Sequence, residues 1–369
     1  SYHLKMKIKG SVAGSFGGGF QNPDGYKGCG DFPSIKVTTD WKEVDVAATC
    51  NGDNAKRLLL NIGKYAGTLY IDDFQVYWLK KSNTIPLTDQ EKKDTLTWAM
   101  NKWIDGMMEA CDGKVKAWDV VNEALSGADK DGDGKYDLQS ATRGNVSAEE
   151  AASNFYWQDY LGDLDYVRTA VKAAREGFAA HNGNPEDLKL FINDYNLESD
   201  WDQNGKLKSL IQWIKDWEAD GVTKIDGIGS QMHITCYGNP QTQESKKNAI
   251  VNMLKLMAES GKLVRISELD MGYVDANGKD VKTADMTEEQ HKEMRALYEF
   301  VVKKYLEIIP EAQQWGICQW CPTDSPANSG WRAGLPVGLW DLDYYRKHTY
   351  GGFAAGLGAP EYWNENDAK

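Results

Sequence analysis

The sequence predicts an all-β sandwich followed by a parallel α/β fold. Residues 1–82 contain short strand-like runs separated by glycines, which is typical of a sandwich. Residues 83–369 alternate apolar strands with long amphipathic helices, which is typical of parallel β/α units. The chain has 369 residues, enough for two domains, and 41% of them are hydrophobic, enough for a sizeable core.

The first domain is predicted to contain only strands and turns. Residues 2–9 alternate apolar and polar side chains, which predicts a strand with one face in water. The glycine-rich stretches 14–19 and 25–30 are interpreted as turns. Four further strands are expected, at residues 34–39, 43–49, 57–62 and 68–78.

A short linker, Asn83 to Pro86, separates the two domains, and a helix is expected to begin at Thr88. Nearly continuous apolar strands then predict a parallel sheet that is covered on both faces. The five predicted strands are residues 115–123, 188–194, 225–234, 263–271 and 313–320. The later helices are expected near residues 165–182, 205–219, 243–260, 287–308 and 343–356.

Two glutamates stand at the carboxyl ends of these strands, Glu123 on the first and Glu268 on the fourth. Because the carboxyl ends of parallel strands meet at one edge, we expect the two side chains to lie close together. A single acid at a strand end is equally well explained by helix capping or by a solvated loop. A pair of carboxyl groups with amide, histidine and tryptophan neighbours favours glycoside hydrolysis, which needs one proton donor and one ionised carboxylate.

Five motifs mark the strand ends: WDVVNE at 118–123, FINDYN at 191–196, GSQMH at 229–233, ISELD at 266–270 and WGI at 315–317. In this order they resemble glycoside hydrolase family 10, the β-1,4-xylanases with a (β/α)8 TIM barrel, over residues 87–357. The resemblance implies that the five strands are strands 4–8 of the barrel. It also implies a retaining endo-β-1,4-xylanase that acts on xylan or xylo-oligosaccharides and needs no metal or other cofactor.

The resemblance further implies roles for individual residues. Glu123 is expected to be the general acid/base and Glu268 the nucleophile, with His233 hydrogen-bonded to Glu268 and Asp270 supporting it. Trp320 is an alternative to Trp331 for a place on the glycone wall. The expected substrate-binding residues are Asn122, Gln231, Tyr195 on the aglycone side, and Trp315 and Trp331 on the glycone side.

Residues 1–82 resemble the later part of a jelly-roll carbohydrate-binding module of the family 4/22 kind. Some Bacteroidetes xylanases resemble this arrangement, with such a module inserted after barrel strand 3. Motifs of barrel strands 1–3 are not found in this sequence. Five parallel strands cannot close a barrel of eight, and their open edges promote aggregation. We therefore expect a companion polypeptide that carries barrel strands 1–3 and the rest of the module.

Other functions are less well supported. The net charge of −13 argues against a nucleic-acid partner, and no stretch approaches the roughly 18 apolar residues of a membrane span. Cys318 and Cys321 lack a second pair that would complete a zinc site. The acidic turn Asp129–Gly134 has two interpretations, a calcium loop or a solvated turn, because Ser140 stands where such a loop needs a glutamate.

Two alternatives to xylan hydrolysis stay open at this stage. One is a retaining β-glycanase of the same barrel type that acts on glucan or mannan. The other is a non-catalytic fragment that binds glycans. A polymeric substrate implies that the protein is secreted, periplasmic or held at the cell surface.

Overall fold

The computed structural model describes residues 1–79, 85–144 and 146–360. The chain divides into two compact units, Ser1–Pro86 and Leu87–Lys369. The boundary expected between residues 82 and 83, and the first half of the expected linker, lie outside the described residues. In the ranges that are described, no helix is both long and apolar enough to span a membrane.

The first unit contains two antiparallel sheets. In one sheet β1 lies between β5 and β7, and in the other β2 pairs with β3, β4 and β6. The strands are β1 Tyr2–Gly10, β2 Gly14–Gln21, β3 Gly28–Asp31, β4 Ile35–Val37, β5 Lys42–Ala48, β6 Arg57–Asn61 and β7 Leu69–Trp78. Side chains from both sheets form one core, in which Leu4, Met6 and Ile8 of β1 are fully buried. The unit therefore has the expected sandwich arrangement.

The glycines at residues 14–19 do not form the expected turn, because they lie in β2, with which three other strands pair. Close packing explains these glycines. A Cβ atom at Gly18 would stand 2.5 Å from the carbonyl oxygen of Leu59, and one at Gly19 would stand 2.5 Å from the carbonyl oxygen of Gly30. Glycine inside a strand thus marks a close backbone approach here and not a chain reversal.

The second unit alternates strands and helices. Its elements are α1 Asp89–Cys111, β8 Ala117–Asn122, α2 Ala148–Ser153, α3 Gln158–Leu161, α4 Asp165–Ala180, β9 Lys189–Asp194, α5 Gly205–Glu218, β10 Gly227–Ser230, β11 His233–Tyr237, α6 Pro240–Glu259, β12 Leu263–Val274, α7 Glu288–Ile308, β13 Gln314–Gln319 and α8 His348–Gly356. All five expected strands are present, and the third is divided into β10 and β11. Helix α8 begins at His348 and not near residue 343, because Trp340 and Arg346 form an antiparallel bridge before it.

The strands of the second unit form one parallel sheet. Strand β9 lies between β8 and β10, and β12 lies between β10 and β13, while β11 continues β10 along the upper part of β12. All carboxyl ends therefore point to the same edge of the sheet. Among the described residues, β8 pairs only with β9, and β13 pairs only with β12.

Amphipathic helices cover this sheet with large side chains. Trp217 of α5 and Tyr298 and Tyr305 of α7 are almost completely buried. The hydroxyl of Tyr305 donates to the carbonyl oxygen of Val264 at 2.8 Å, which ties α7 to β12. A buried tyrosine needs such a partner, so this bond fixes the helix against the sheet as well as satisfying the hydroxyl.

Candidate active site

Three neighbouring strand ends use a residue with left-handed backbone. These are Glu123 after β8, Asn196 after β9 and Met232 between β10 and β11, each with φ +57°. For a residue other than glycine this conformation costs roughly 1–2 kcal/mol, so surrounding contacts must hold it. The N–H of Glu123 still donates to the carbonyl oxygen of Asn193 at 2.8 Å. The strand ladder therefore ends at Glu123, and the exposed side chain of Glu123 lies at the carboxyl edge of the sheet.

Glu268, on β12, is held by two neighbours. Its Oε1 accepts a hydrogen bond from Asn193 Nδ2 at 2.9 Å, and its Oε2 lies 3.3 Å from His233 Nε2. Asn193 is itself fixed, because its Oδ1 accepts from the hydroxyl of Ser267 at 2.6 Å. The side chain of Glu268 is only 16% exposed. These two contacts hold the carboxyl group of Glu268 in one orientation, as a nucleophile requires.

His233 stands between two carboxylates and two tryptophans. Its Nδ1 lies 3.1 Å from Asp270 Oδ1, opposite the ring nitrogen that faces Glu268. The indole N–H of Trp331 donates to Asp270 Oδ2 at 2.7 Å. Burial alone would lower the pKa of His233, but Asp270 and the charge of Glu268 outweigh it and raise this pKa above its ordinary value. The imidazole is thus oriented and electrostatically favoured as a donor to Glu268.

A second set of amides joins the two glutamates. Gln231 Nε2 donates to Glu123 Oε1 at 2.8 Å and lies 3.3 Å from Asn122 Oδ1. Asn193 Nδ2 donates to the same Asn122 oxygen at 2.8 Å as well as to Glu268. The expected residues Glu123, Glu268, Asn122, Gln231, His233 and Asp270 therefore lie in one connected network. Asn193 and Ser267 stand within the quoted motifs, but no role was predicted for either residue.

Tyr195 lies beside a buried ion pair. Lys206 Nζ is 2.7 Å from Asp194 Oδ1 and 3.3 Å from the centre of the Tyr195 ring. Burial raises the pKa of Tyr195, and the nearby charges of Asp194 and Glu123 raise it further. The ring is therefore anchored from below by a cation while it stays close to Glu123.

The candidate tryptophans lie in two different places. Trp331 and Trp320 both meet the His233 ring edge-on, at centroid distances of 4.7 and 5.9 Å. Trp315 lies near the start of β13, beside the residues that pair with Val264 and Arg265, and its ring contacts Phe191 at 5.7 Å. The described geometry therefore brings Trp320 and Trp331 to the network and does not bring Trp315 there.

An acid below the network was not singled out from the sequence. Asp119 of β8 lies 3.3 Å from Arg265 of β12. Burial raises the pKa of Asp119, Arg265 opposes this effect, and the charge of Glu268 adds to the rise. Asp119 therefore senses the ionisation of Glu268 through space.

The acidic turn remains a group of exposed carboxylates. Asp129, Asp131 and Asp133 have oxygens within 4.8 Å of one another, and all three residues are exposed. Both carboxylate oxygens of Asp129 accept backbone N–H groups of the turn, from Gly132 and Gly134. These bonds explain the conformation of the turn without an ion. A calcium loop and a solvated turn both remain as interpretations.

The comparisons with known proteins agree on one family. Residues 71–355 match the family model described as Glycosyl hydrolase family 10. Endo-beta-1,4-xylanase Xyn10C of Cellvibrio japonicus is 30% identical over 261 residues, which cover 66% of this chain and 37% of the relative. Endo-1,4-beta-xylanase C of Paenibacillus barcinonensis is 28% identical over 287 residues, which cover 74% of this chain and 23% of the relative. The chain thus spans less than half the length of these curated relatives.

Solved structures confirm the fold class. The family 10 structure from Paenibacillus barcinonensis aligns with a TM-score of 0.55 and 25% identity, covering 76% of this chain and 71% of that one. Native xylanase 10C from Cellvibrio japonicus aligns with a TM-score of 0.54 and 25% identity, covering 74% of this chain and 52% of that one. The parallel sheet is therefore part of a (β/α)8 TIM barrel, and the chain belongs to glycosyl hydrolase family 10.

Proposed function

We propose that this protein is a retaining endo-xylanase that cleaves β-1,4-xylosidic bonds in xylan or xylo-oligosaccharides. The observation that carries the proposal is the amide network through Asn193, Asn122 and Gln231, which joins Glu123 and Glu268 at one sheet edge. Family membership supports it, as do the relatives named endo-xylanases.

The reaction takes place in two displacements. Glu123 protonates the glycosidic oxygen while Glu268 attacks the anomeric carbon, so the leaving sugar departs as an alcohol and a glycosyl ester forms on Glu268. Glu123, now ionised, then removes a proton from water, which attacks the anomeric carbon and releases Glu268 as a carboxylate. Two inversions give net retention of configuration.

The contacts of the two glutamates favour this division of roles. Glu268 is largely buried and has a neighbour at each oxygen, Asn193 and His233, which hold its carboxyl group in one orientation, as a nucleophile requires. Glu123 is exposed and accepts one bond from the neutral amide of Gln231, which leaves room for a proton and for water. Asn122 also lies between the acids, where its amide can bind the sugar 2-hydroxyl as charge develops.

Aromatic rings supply the remaining walls. Trp331 and Trp320 are 41% and 51% exposed beside His233, so they offer flat faces for sugar rings on the Glu268 side. Tyr195 occupies the Glu123 side, which is where an aglycone would leave. The proposed glycone wall therefore consists of Trp331 with Trp320, and Trp315 supports the sheet through Phe191.

The first experiment compares Glu268→Gln, Glu123→Gln and the exposed-surface control Glu176→Gln on xylan. Glu268→Gln should abolish turnover while glycan binding persists. Glu123→Gln should cost about 10²–10⁴-fold, and less on aryl xylobiosides with good leaving groups. The control should behave like the unaltered protein. If turnover survives in Glu268→Gln, Glu268 is not the nucleophile.

Substrate choice separates the alternatives. Release of reducing sugar from xylan, β-glucan and mannan, measured side by side, should be greatest from xylan. Preference for glucan or mannan would favour the other β-glycanase class. Binding of xylan by the unaltered protein without any turnover would favour the non-catalytic alternative.

We also propose that a companion polypeptide completes the sheet with barrel strands 1–3. An apolar groove of about 340 Å³ lies between β8 and helices α1 and α4, and Trp103, Met107, Trp118 and Val120 line it. Among the described residues, β8 pairs only with β9. Trp103 is 72% exposed, so this surface is suited to being covered by β/α units. Denaturing mass spectrometry of the folded sample should show two polypeptides. A single species, of 41.3 kDa or larger, would refute the companion.

The first unit and the location of the protein complete the proposal. We propose that the sandwich is part of a carbohydrate-binding module of the family 4/22 kind, inserted in the barrel as in Bacteroidetes xylanases. Part of β7 supports this idea, because Phe74, Val76 and Trp78 are each more than 40% exposed, as expected where further strands of the module would pack.

Because the polymer is too large to enter a cell, we place the protein in the secreted, periplasmic or cell-surface fraction. Fractionation of the producing cells tests this.

A further inference from the structure

A hairpin-like segment that follows β8 contacts the backbone of Glu123. Ser126 N donates to Asp137 O, and Gln139 N donates to Ala124 O, both at 2.8 Å, so the chain folds back on itself between these residues. Leu125 and Leu138 face each other in an antiparallel bridge and are both buried. The base of this segment is therefore a rigid part of the core, and it ends directly beside Glu123.

Gln139 satisfies the backbone carbonyl that the left-handed turn frees. Its Nε2 donates to the carbonyl oxygen of Glu123 at 2.6 Å. The N–H of Glu123 remains in the strand ladder with Asn193, whereas its carbonyl has turned away from the ladder towards Gln139. One backbone unit is thus held from both sides in a conformation that glutamate rarely adopts.

Tyr156 holds Gln139 in turn. Its hydroxyl donates to Gln139 Oε1 at 2.9 Å, which orients the amide so that Nε2 faces Glu123. The nearly buried Gln158 donates to the carbonyl oxygen of Gln139 at 2.5 Å and fixes its main chain. The hydrogen-bond path therefore runs from Tyr156 through Gln139 to the backbone of Glu123.

We propose that Gln139 and Tyr156 are positioning residues for Glu123. They hold its backbone in the left-handed turn and thereby direct its carboxyl group as a proton donor, although neither side chain contacts the reacting atoms. This inference rests on the proposed role of Glu123 as acid/base. A small error in the direction of a proton donor costs rate only in steps that need the proton, so the effect depends on the leaving group.

The test uses Tyr156→Phe and Gln139→Met, with Tyr160→Phe as the matched control. Tyr160 lies in α3, close to Tyr156 in the sequence, and its ring stacks on Phe155 at 5.5 Å, so the control removes a hydroxyl away from the path. All variants are first checked for an unchanged melting temperature. Hydrolysis of phenyl β-xylobioside, which has a poor leaving group, is then compared with hydrolysis of 2,4-dinitrophenyl β-xylobioside, which has a good one.

Each of the two variants should lower kcat/KM on the phenyl glycoside about 3- to 10-fold, the loss expected for one neutral hydrogen bond. On the dinitrophenyl glycoside the change should stay within about 2-fold, because that leaving group needs no proton. The double variant should be no worse than Gln139→Met, because Tyr156 acts through Gln139.

Two results would overturn the inference. Equal losses on both glycosides would mean a general structural effect, and behaviour like Tyr160→Phe would mean that the path carries no positioning role. If the unaltered protein cleaves neither glycoside, or if Glu268→Gln retains activity, the proposed function fails and this inference falls with it. The two failures are thus distinguishable, because only the second affects the unaltered protein or the Glu268 variant.

Discussion

Asn193 is the residue whose removal tests the proposed site most directly. It donates to Glu268 at 2.9 Å and to Asn122 at 2.8 Å, and it is almost completely buried. A hydrogen bond to a charged acceptor contributes about 1.5–3 kcal/mol, and one between neutral groups contributes about 0.5–1.5 kcal/mol. If both bonds stabilise only the transition state, Asn193→Ala should lower kcat/KM about 30- to 2,000-fold.

The Asn193→Ala variant needs a control for packing, because the side chain of Asn193 is almost completely buried. The matched control is Ser267→Ala, which removes the bond on the other side of Asn193 but keeps both amide donors. The assay is hydrolysis of an aryl xylobioside between about pH 4 and 9, with each variant checked for folding by its melting temperature.

The control also decides whether the reasoning holds. Ser267→Ala should cost no more than about 10-fold, because it loosens the amide without deleting it. If Asn193→Ala stays within about 3-fold of the unaltered protein, Asn193 does not stabilise Glu268 in the transition state. If the two variants lose activity equally, packing and not the amide donor explains the loss.

Three further predictions concern other contacts. Gln231→Leu should lower kcat/KM about 10-fold on phenyl β-xylobioside, a substrate with a poor leaving group, because Glu123 loses its amide donor. An unchanged rate would contradict this prediction. Lys206→Met leaves Asp194 buried without its cation, so the free energy of unfolding in urea should fall by about 3–5 kcal/mol. Lys246→Met removes a more exposed ion pair and should lower this free energy by less than about 1 kcal/mol. Burial lowers the pKa of His291 to about 4, below its ordinary value of 6.5, so its neutral form stabilises the fold above pH 6.5. This stability is lost as pH falls from 6.5 through 4, by about 1–2 kcal/mol after allowance for partial exposure, and His291→Gln should flatten the change in urea unfolding.

Strand β9 was predictable because its burial on both faces leaves a nearly continuous apolar run. Residues 188–194 were expected to form a strand, and Lys189–Asp194 does so. The expected strand at 225–234 is instead interrupted at Met232, whose φ is +57°. A left-handed residue that is neither glycine nor asparagine leaves no trace in hydrophobic periodicity, so this break was not visible in the sequence.

Glycine and tryptophan show why residue type alone misleads. The glycines of β2 suggested a turn, but cross-strand backbone contacts exclude a Cβ there. Trp315 and Trp320 lie on the same short stretch. Only the pairing register shows that Trp320 follows Leu269, whereas Trp315 lies level with the start of β12. Such positions depend on partner strands that are distant in sequence.

The assignment of acid and nucleophile is the part of the site that depends most on tertiary structure. In the sequence both residues are glutamates at strand ends, and only the family resemblance tells them apart. In the fold they differ, because Glu268 has a neighbour at each oxygen while Glu123 accepts one amide and faces solvent. The neighbours of Glu268 come from β9 and β11, and the neighbour of Glu123 lies between β10 and β11, so both glutamates gain their neighbours only when the sheet has formed. Because the neighbours of each carboxyl group decide how firmly it is held and how much water reaches it, the packing of the sheet is what allows one residue type to play both parts.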